Sequence, residues 1–182
     1  MKYLIAGFII LLTYSCKDVK NTETNETKTE NNEDLKKIKD DIFRVILKVI
    51  APEKDNFEIF YTDLYPDEEF REEKKNNIAL EGSNEVQDIV FNLPKGILPY
   101  NFRIDLGNNK FQEKIFIKSI ELKYNSNSIF IENDLIPTFF VVNEFINYDK
   151  SSGTAILSYV NNRRDPFIIA KPILIQKIEI EL

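Results

Sequence analysis

Histidine and tryptophan are absent from this 182-residue chain, which holds one cysteine, one methionine and only five glycines. Without histidine there is no Ser-His-Asp or Cys-His catalytic unit and no His-containing zinc site. A single cysteine excludes a disulfide within the chain. The glycines fall at no phosphate-loop spacing, which removes a nucleotide-cradling loop. Basic residues are outnumbered, 24 Lys and Arg against 30 Asp and Glu, for a net charge of -6. That balance argues against nucleic acid as the main partner, because neutralising phosphates needs clustered Lys and Arg. An enzyme would have to work with carboxylates, tyrosines or lysines. No such pair stands out. Glu68-Glu69 and Glu72-Glu73 fall in the run DEEFREEKKNN, which reads as a solvated charged loop, and Asp88 and Asp105 stand opposite the apolar face of their strands. A noncatalytic protein with no cofactor and no metal centre is expected.

The chain opens MKYLIAGFIILLTYSC. Lys2 gives a positive start, and Leu4 to Leu12 is an unbroken apolar stretch of 9 residues. That suits the core of a signal peptide, whereas a spanning helix needs about 20 residues. Cys16 follows the small residue Ser15, where a lipoprotein signal peptide is cut. The segment resembles the signal peptides of bacterial lipoproteins, and Thr13-Tyr14 before Ser15-Cys16-Lys17 resembles the looser pattern of Bacteroidota. The resemblance implies that residues 1–15 are removed, that Cys16 carries the lipid, and that the protein is anchored in the bacterial cell envelope, facing the periplasm or the cell surface. An ordinary secreted protein with an incidental cysteine is the alternative. After Cys16 the tract KDVKNTETNETKTENNED holds Val19 as its sole apolar residue and buries too little surface to offset ordering entropy, so residues 16–40 are expected to form a disordered linker.

Residues 41–182 are expected to form the folded domain, and from Phe57 onward the pattern has period two. Phe57, Ile59 and Tyr61 alternate with Glu58 and Thr62; Ile89, Phe91 and Leu93 alternate with Asp88 and Asn92; Phe102, Ile104 and Leu106 alternate with Arg103 and Asp105. Pro, Gly and Asn clusters such as Pro94-Lys95-Gly96 and Gly107-Asn108-Asn109 separate the runs. Many short strands with no long helical stretch between them predict one antiparallel β-sandwich with little helix. Residues 34–50 can be read two ways. Leu35, Ile38, Ile42, Val45 and Val49 have helical spacing, but Phe43, Val45, Leu47 and Val49 alternate within a β-branched run, which favours a strand from about 42 to 51. In Ile115–Leu122 and again in Ile173–Ile180 the apolar set moves from odd to even positions, which predicts a bulge or a sandwich corner in two strands. The two windows match at four positions, so a duplicated hairpin and coincidence both stand.

The ordered blocks FEIFYTD, VQDIVFNLP, NFRIDLGNNK and IFIKSIELKY resemble jelly-roll sandwich domains, carbohydrate-binding-like in look, that are found beside bacterial membrane glycosyltransferases. The match extends weakly to Asp165-Pro166-Phe167. It implies a jelly-roll fold and, secondarily, a glycan context. Within these blocks Arg103 and Asp105 share one strand face, and the resemblance brings Tyr61 near them. Tyr61, Arg103 and Asp105 are therefore the candidate ligand contacts, an aromatic ring with a donor and an acceptor for sugar hydroxyls. The alternative, which the residues favour over ligand contact, is that Arg103 and Asp105 are a structural pair supporting the Gly107-Asn108-Asn109 turn. Asp105, Asn108 and Asn109 carry a single charge, so calcium there would bind weakly. The expected function is a membrane-anchored binding module for a glycan, with a structural lipoprotein that packs on another envelope protein as the alternative.

Overall fold

The computed structural model describes residues 41–65 and 68–182. The expected signal peptide, Cys16 and the polar tract to residue 40 lie outside the described residues. Alternation builds the first strand, β1 (Arg44–Ile50): Val45, Leu47 and Val49 are fully buried and their neighbours are half-exposed. The helical reading therefore fails from residue 44 onward, since every second side chain faces one side. The remaining strands are β2 (Asp55–Thr62), β3 (Lys75–Leu80), β4 (Gln87–Asn92), β5 (Asn101–Asp105), β6 (Lys114–Tyr124), β7 (Asn127–Glu132), β8 (Phe140–Val142), β9 (Ile146–Asp149), β10 (Thr154–Leu157) and β11 (Phe167–Ala170).

They form two antiparallel sheets packed as a sandwich. The first runs β4-β1-β6-β10-β9, with β7 also paired to β6, and the second runs β3-β2-β5-β11-β8. The two orders correspond place by place. Strands consecutive in sequence, such as β1 and β2 or β5 and β6, occupy matching positions in opposite sheets. Among the described strands the chain changes sheet at every step except β2–β3, β6–β7 and β9–β10. This is the wrapped connectivity expected of a jelly roll, with more strands than the eight of the simple form. Phe102 of the second sheet reaches the other layer through its ring, 6.3 Å from that of Phe43 just before β1, and lies 5.9 Å from that of Phe140 within its own sheet. Each such fully buried side chain contributes about 1.5–3 kcal/mol.

The first phase slip is a bulge. Lys48 pairs with Ser119 and Val49 with Ile117, so Lys118 is the extra residue and Ser119 and Ile120 both turn inward. The second slip is not a strand. Residues Pro172–Glu181 form the helix α2, following the single-turn helix α1 (Ile136–Phe139). Pro172 sits in the first turn, where its missing N–H costs nothing, and Leu174 and Ile178, four apart, are the buried pair. The β-branched run pointed to a strand, but no sheet edge receives it; helix spacing buries Leu174 and Ile178 and leaves Ile173 and Ile180 exposed. The duplicated-hairpin reading falls with it.

The charged run after β2 also differs from expectation at one residue. Glu68 is buried, accepting the N–H groups of Asp63 and Leu64 at 3.0 Å each and the Lys74 ammonium at 2.6 Å. Lys74 also grips Asp63. The hydrogen bond from Lys74 holds the Glu68 carboxyl below its ordinary value, against the opposing pull of burial.

The sandwich has two distinct ends. At one end the chain enters at Asp41, whose carbonyl accepts the Gly96 N–H at 2.7 Å, and Tyr100 N–H donates to the Thr62 carbonyl at 2.8 Å. β1 carries the chain to the other end, where the turn after it meets the segment joining β5 to β6.

Candidate functional site

Arg103 and Asp105 do share the outer face of the second sheet. Arg103 Nε and a terminal nitrogen donate to the two Asp105 oxygens at 2.6 and 2.7 Å, and the second nitrogen also reaches Asp165 at 3.3 Å. The guanidinium lies over the Phe167 ring at 4.0 Å and the Phe60 ring at 5.3 Å. A planar cation between two aromatic faces with a two-pronged carboxylate is an arrangement that lysine could not reproduce. Burial, the largest influence, pushes the Asp105 carboxyl up, although Arg103 pulls the other way; Asp165 and Glu58 add to the rise. Burial opposes the charge on Arg103 too, but its acidic neighbours outweigh it and raise its pKa.

Tyr61 does not join them. It pairs with Phe102 across the β2–β5 ladder, whereas Arg103 pairs with Phe60, so Tyr61 faces the core and Arg103 the outside. The side chain is buried among the core residues. Its hydroxyl pKa is raised by burial first and by Asp63 second, with Lys74 opposing. The expected three-residue face is thus corrected to a two-residue pair whose polar atoms are spent on each other and on Asp165.

The Gly107-Asn108-Asn109 turn is held by a residue outside the expected set. Asp55, at the start of β2, is almost fully buried, and one carboxylate oxygen accepts the N–H groups of Asn56, Asn108 and Asn109 at 2.9, 2.9 and 3.0 Å. The segment continues under equally tight control. The Asn109 side chain donates to the Lys54 carbonyl at 2.7 Å and accepts the Phe111 N–H at 2.9 Å. Buried Gln112 accepts the Glu53 N–H at 2.7 Å and donates to the Lys114 carbonyl. Arg164 donates to the Gln112 carbonyl at 2.7 Å. Of the oxygens considered for calcium, Asp105 is occupied by Arg103 and Asn109 by Phe111. Among the described residues no three acidic or cysteine side chains gather as metal ligands.

At the tip of this braced segment Phe111 is 69% exposed. It borders a hollow of about 300 Å³ with Glu53, Glu113 and Lys114. On the other side of the segment, Asn108, Arg164, Asp165 and Glu58 line a smaller hollow of about 160 Å³ beside Asp105. The larger one reaches the range in which small-molecule sites begin, and the smaller falls below it. Phe111 was not among the residues expected from the sequence, where its signal is an aromatic within the polar run GNNKFQEK, and nothing in the sequence marks its bracing by Asp55 and Gln112.

Comparison with known proteins finds no matching family model, no matching curated protein and no matching solved structure.

Proposed function

We propose that this chain is a noncatalytic glycan-binding module, tethered to a bacterial cell envelope by lipid on Cys16, and that Phe111 is its stacking platform. The exposed Phe111 ring on a locked segment carries the reading. An aromatic side chain left in water at the tip of a mobile loop would be unremarkable, but here Asp55, Asn109, Gln112 and Arg164 hold its backbone in place. Such preorganisation lowers the ordering cost of binding. The Lys110 ammonium lies over one face of the ring, 5.0 Å from its centroid, and the other flat apolar face suits the C–H face of a sugar ring. Glu53 and Glu113 then supply acceptors, and Lys114 a donor, to its hydroxyls. Arg103 and Asp105 act one step back, in the sheet that carries the segment.

The platform lies at the end of the sandwich away from Asp41, so a tether leading back to Cys16 leaves it open to a polymer approaching from outside. A glycan array probed with the domain from residue 34 onward tests the binding. Signal for envelope or dietary polysaccharides is expected; silence at protein concentrations approaching millimolar sinks the glycan reading. Metabolic labelling with an alkyne fatty acid tests the anchor. Wild-type protein should take the label and Cys16→Ala should not.

A further inference from the structure

The end of the sandwich where the chain enters carries apolar side chains that the core does not use. Leu64 is 63% exposed and Ile180 82% exposed, and Tyr65, Leu98 and Tyr100 are open to solvent as well. They come from three separate elements that meet there. Tyr100 is bonded through its N–H to the Thr62 carbonyl at the end of β2. Asp63, Leu98, Tyr100 and Glu179 line one hollow of about 390 Å³, and Leu64 and Ile180 directly follow two of those residues. The loop that presents Leu98 and Tyr100 also receives the incoming chain, through Gly96 and Asp41.

We infer that this end docks on the lipid surface, with Leu64, Leu98 and Ile180 entering the headgroup boundary and Tyr65 and Tyr100 lying at its level. The inference rests on the Cys16 anchor proposed above. Only 24 residues separate Cys16 from Asp41. A flexible polar tether of that length would have an r.m.s. span of roughly 25–30 Å, so the apolar end meets lipid at high local concentration. Tyrosine is favoured at the membrane–water interface, where its ring is apolar on one side and wet on the other. The charge at this end selects the kind of lipid. Lys74 is shared between Asp63 and Glu68, which leaves one acid unbalanced, and Glu179 adds another, so a zwitterionic surface fits better than an anionic one. The Phe111 platform is carried to the opposite end, clear of the headgroups.

The single cysteine makes the test clean. Once Cys16 is acylated, a cysteine introduced elsewhere is the sole free thiol. Mature lipidated protein carrying Leu98→Cys, Leu64→Cys or Phe111→Cys is labelled with an environment-sensitive fluorophore and reconstituted in phosphatidylcholine vesicles that contain nitroxide-labelled lipid. All three positions are exposed, so the labels leave the core intact. Labels at 98 and 64 should shift to the blue and be quenched at least about twofold more than the label at 111. Adding Tyr100→Asp should reduce the quenching at 98. Equal quenching at 98, 64 and 111 on a protein shown by mass to carry lipid overturns the docking alone. A wild-type chain that carries no lipid overturns the anchor and the docking with it.

Discussion

Asp55 and Gly107 stand so close that a methyl group added at Gly107 would meet the Asp55 carboxylate at 2.2 Å. Gly107 also has φ +89, a conformation that side chains rarely adopt. The two residues are a lock between the start of β2 and the segment that presents Phe111, and each is fitted to the other.

Gly107→Ala should therefore destabilise the domain by about 2–4 kcal/mol, from backbone strain and the displaced carboxylate together. Asp55→Ala removes the acceptor of three N–H groups and should cost a similar amount. Urea unfolding reads both. A Gly107→Ala midpoint equal to that of the parent would mean that the segment is not locked as described.

Arg103 gives a test of whether its pair is framework. Arg103→Met leaves the partly buried Asp105 without its cation and should lower stability by about 2–3 kcal/mol. Arg103→Lys should recover less than half of that loss, because an ammonium cannot fork to both oxygens or lie flat between Phe60 and Phe167. Full recovery by lysine in thermal melts would show that charge alone matters there.

The pH dependence follows from Glu68. Its folded carboxyl titrates below the ordinary value of 4.5, so the folded state binds fewer protons than the unfolded one in that region. The resulting stability is fully present above about pH 4.5 and is lost as pH falls through the lower, folded value. Glu68→Gln should flatten the fall of the melting temperature between pH 6 and pH 3. Parallel wild-type and variant profiles would remove Glu68 from the acid response. Asp105 works in the opposite sense: its raised value favours the folded state when protonated, so it offsets part of the acid loss.

Much of the fold was legible because alternation is a direct readout of a two-faced sheet. Phe57, Ile59, Ile89, Phe91, Phe102 and Ile104 all point inward as their spacing requires. The slip within Ile115–Leu122 likewise announced the Lys118 bulge. Tyr61 shares its parity with Phe57 and Ile59, so the same rule already placed it in the core, and the resemblance drew it wrongly toward Arg103. The Asp55 lock was not legible, since it joins a carboxylate to backbone groups more than fifty residues away. α2 was misread because Ile173–Ile180 is β-branched, and propensity is a weaker guide than the context that buries Leu174 and Ile178.

That correction is itself testable. With a helix at Pro172–Glu181, Leu174→Ala should cost about 2–4 kcal/mol and Ile173→Ala under about 1 kcal/mol. Gln176→Ala should be near neutral, although a strand would put residue 176 on the same face as 174 and 178. A large Gln176 effect in denaturant unfolding would contradict the helix.

The most direct measurement of the central claim is glycan binding by Phe111→Ala beside wild type, on the strongest glycan of the array, with melting curves for both. The ring contributes stacking and touches nothing in the core, so the variant should melt within about 1 °C of wild type while its affinity falls about tenfold. Unchanged affinity in the Phe111→Ala protein would contradict the account, because the platform would then carry no ligand.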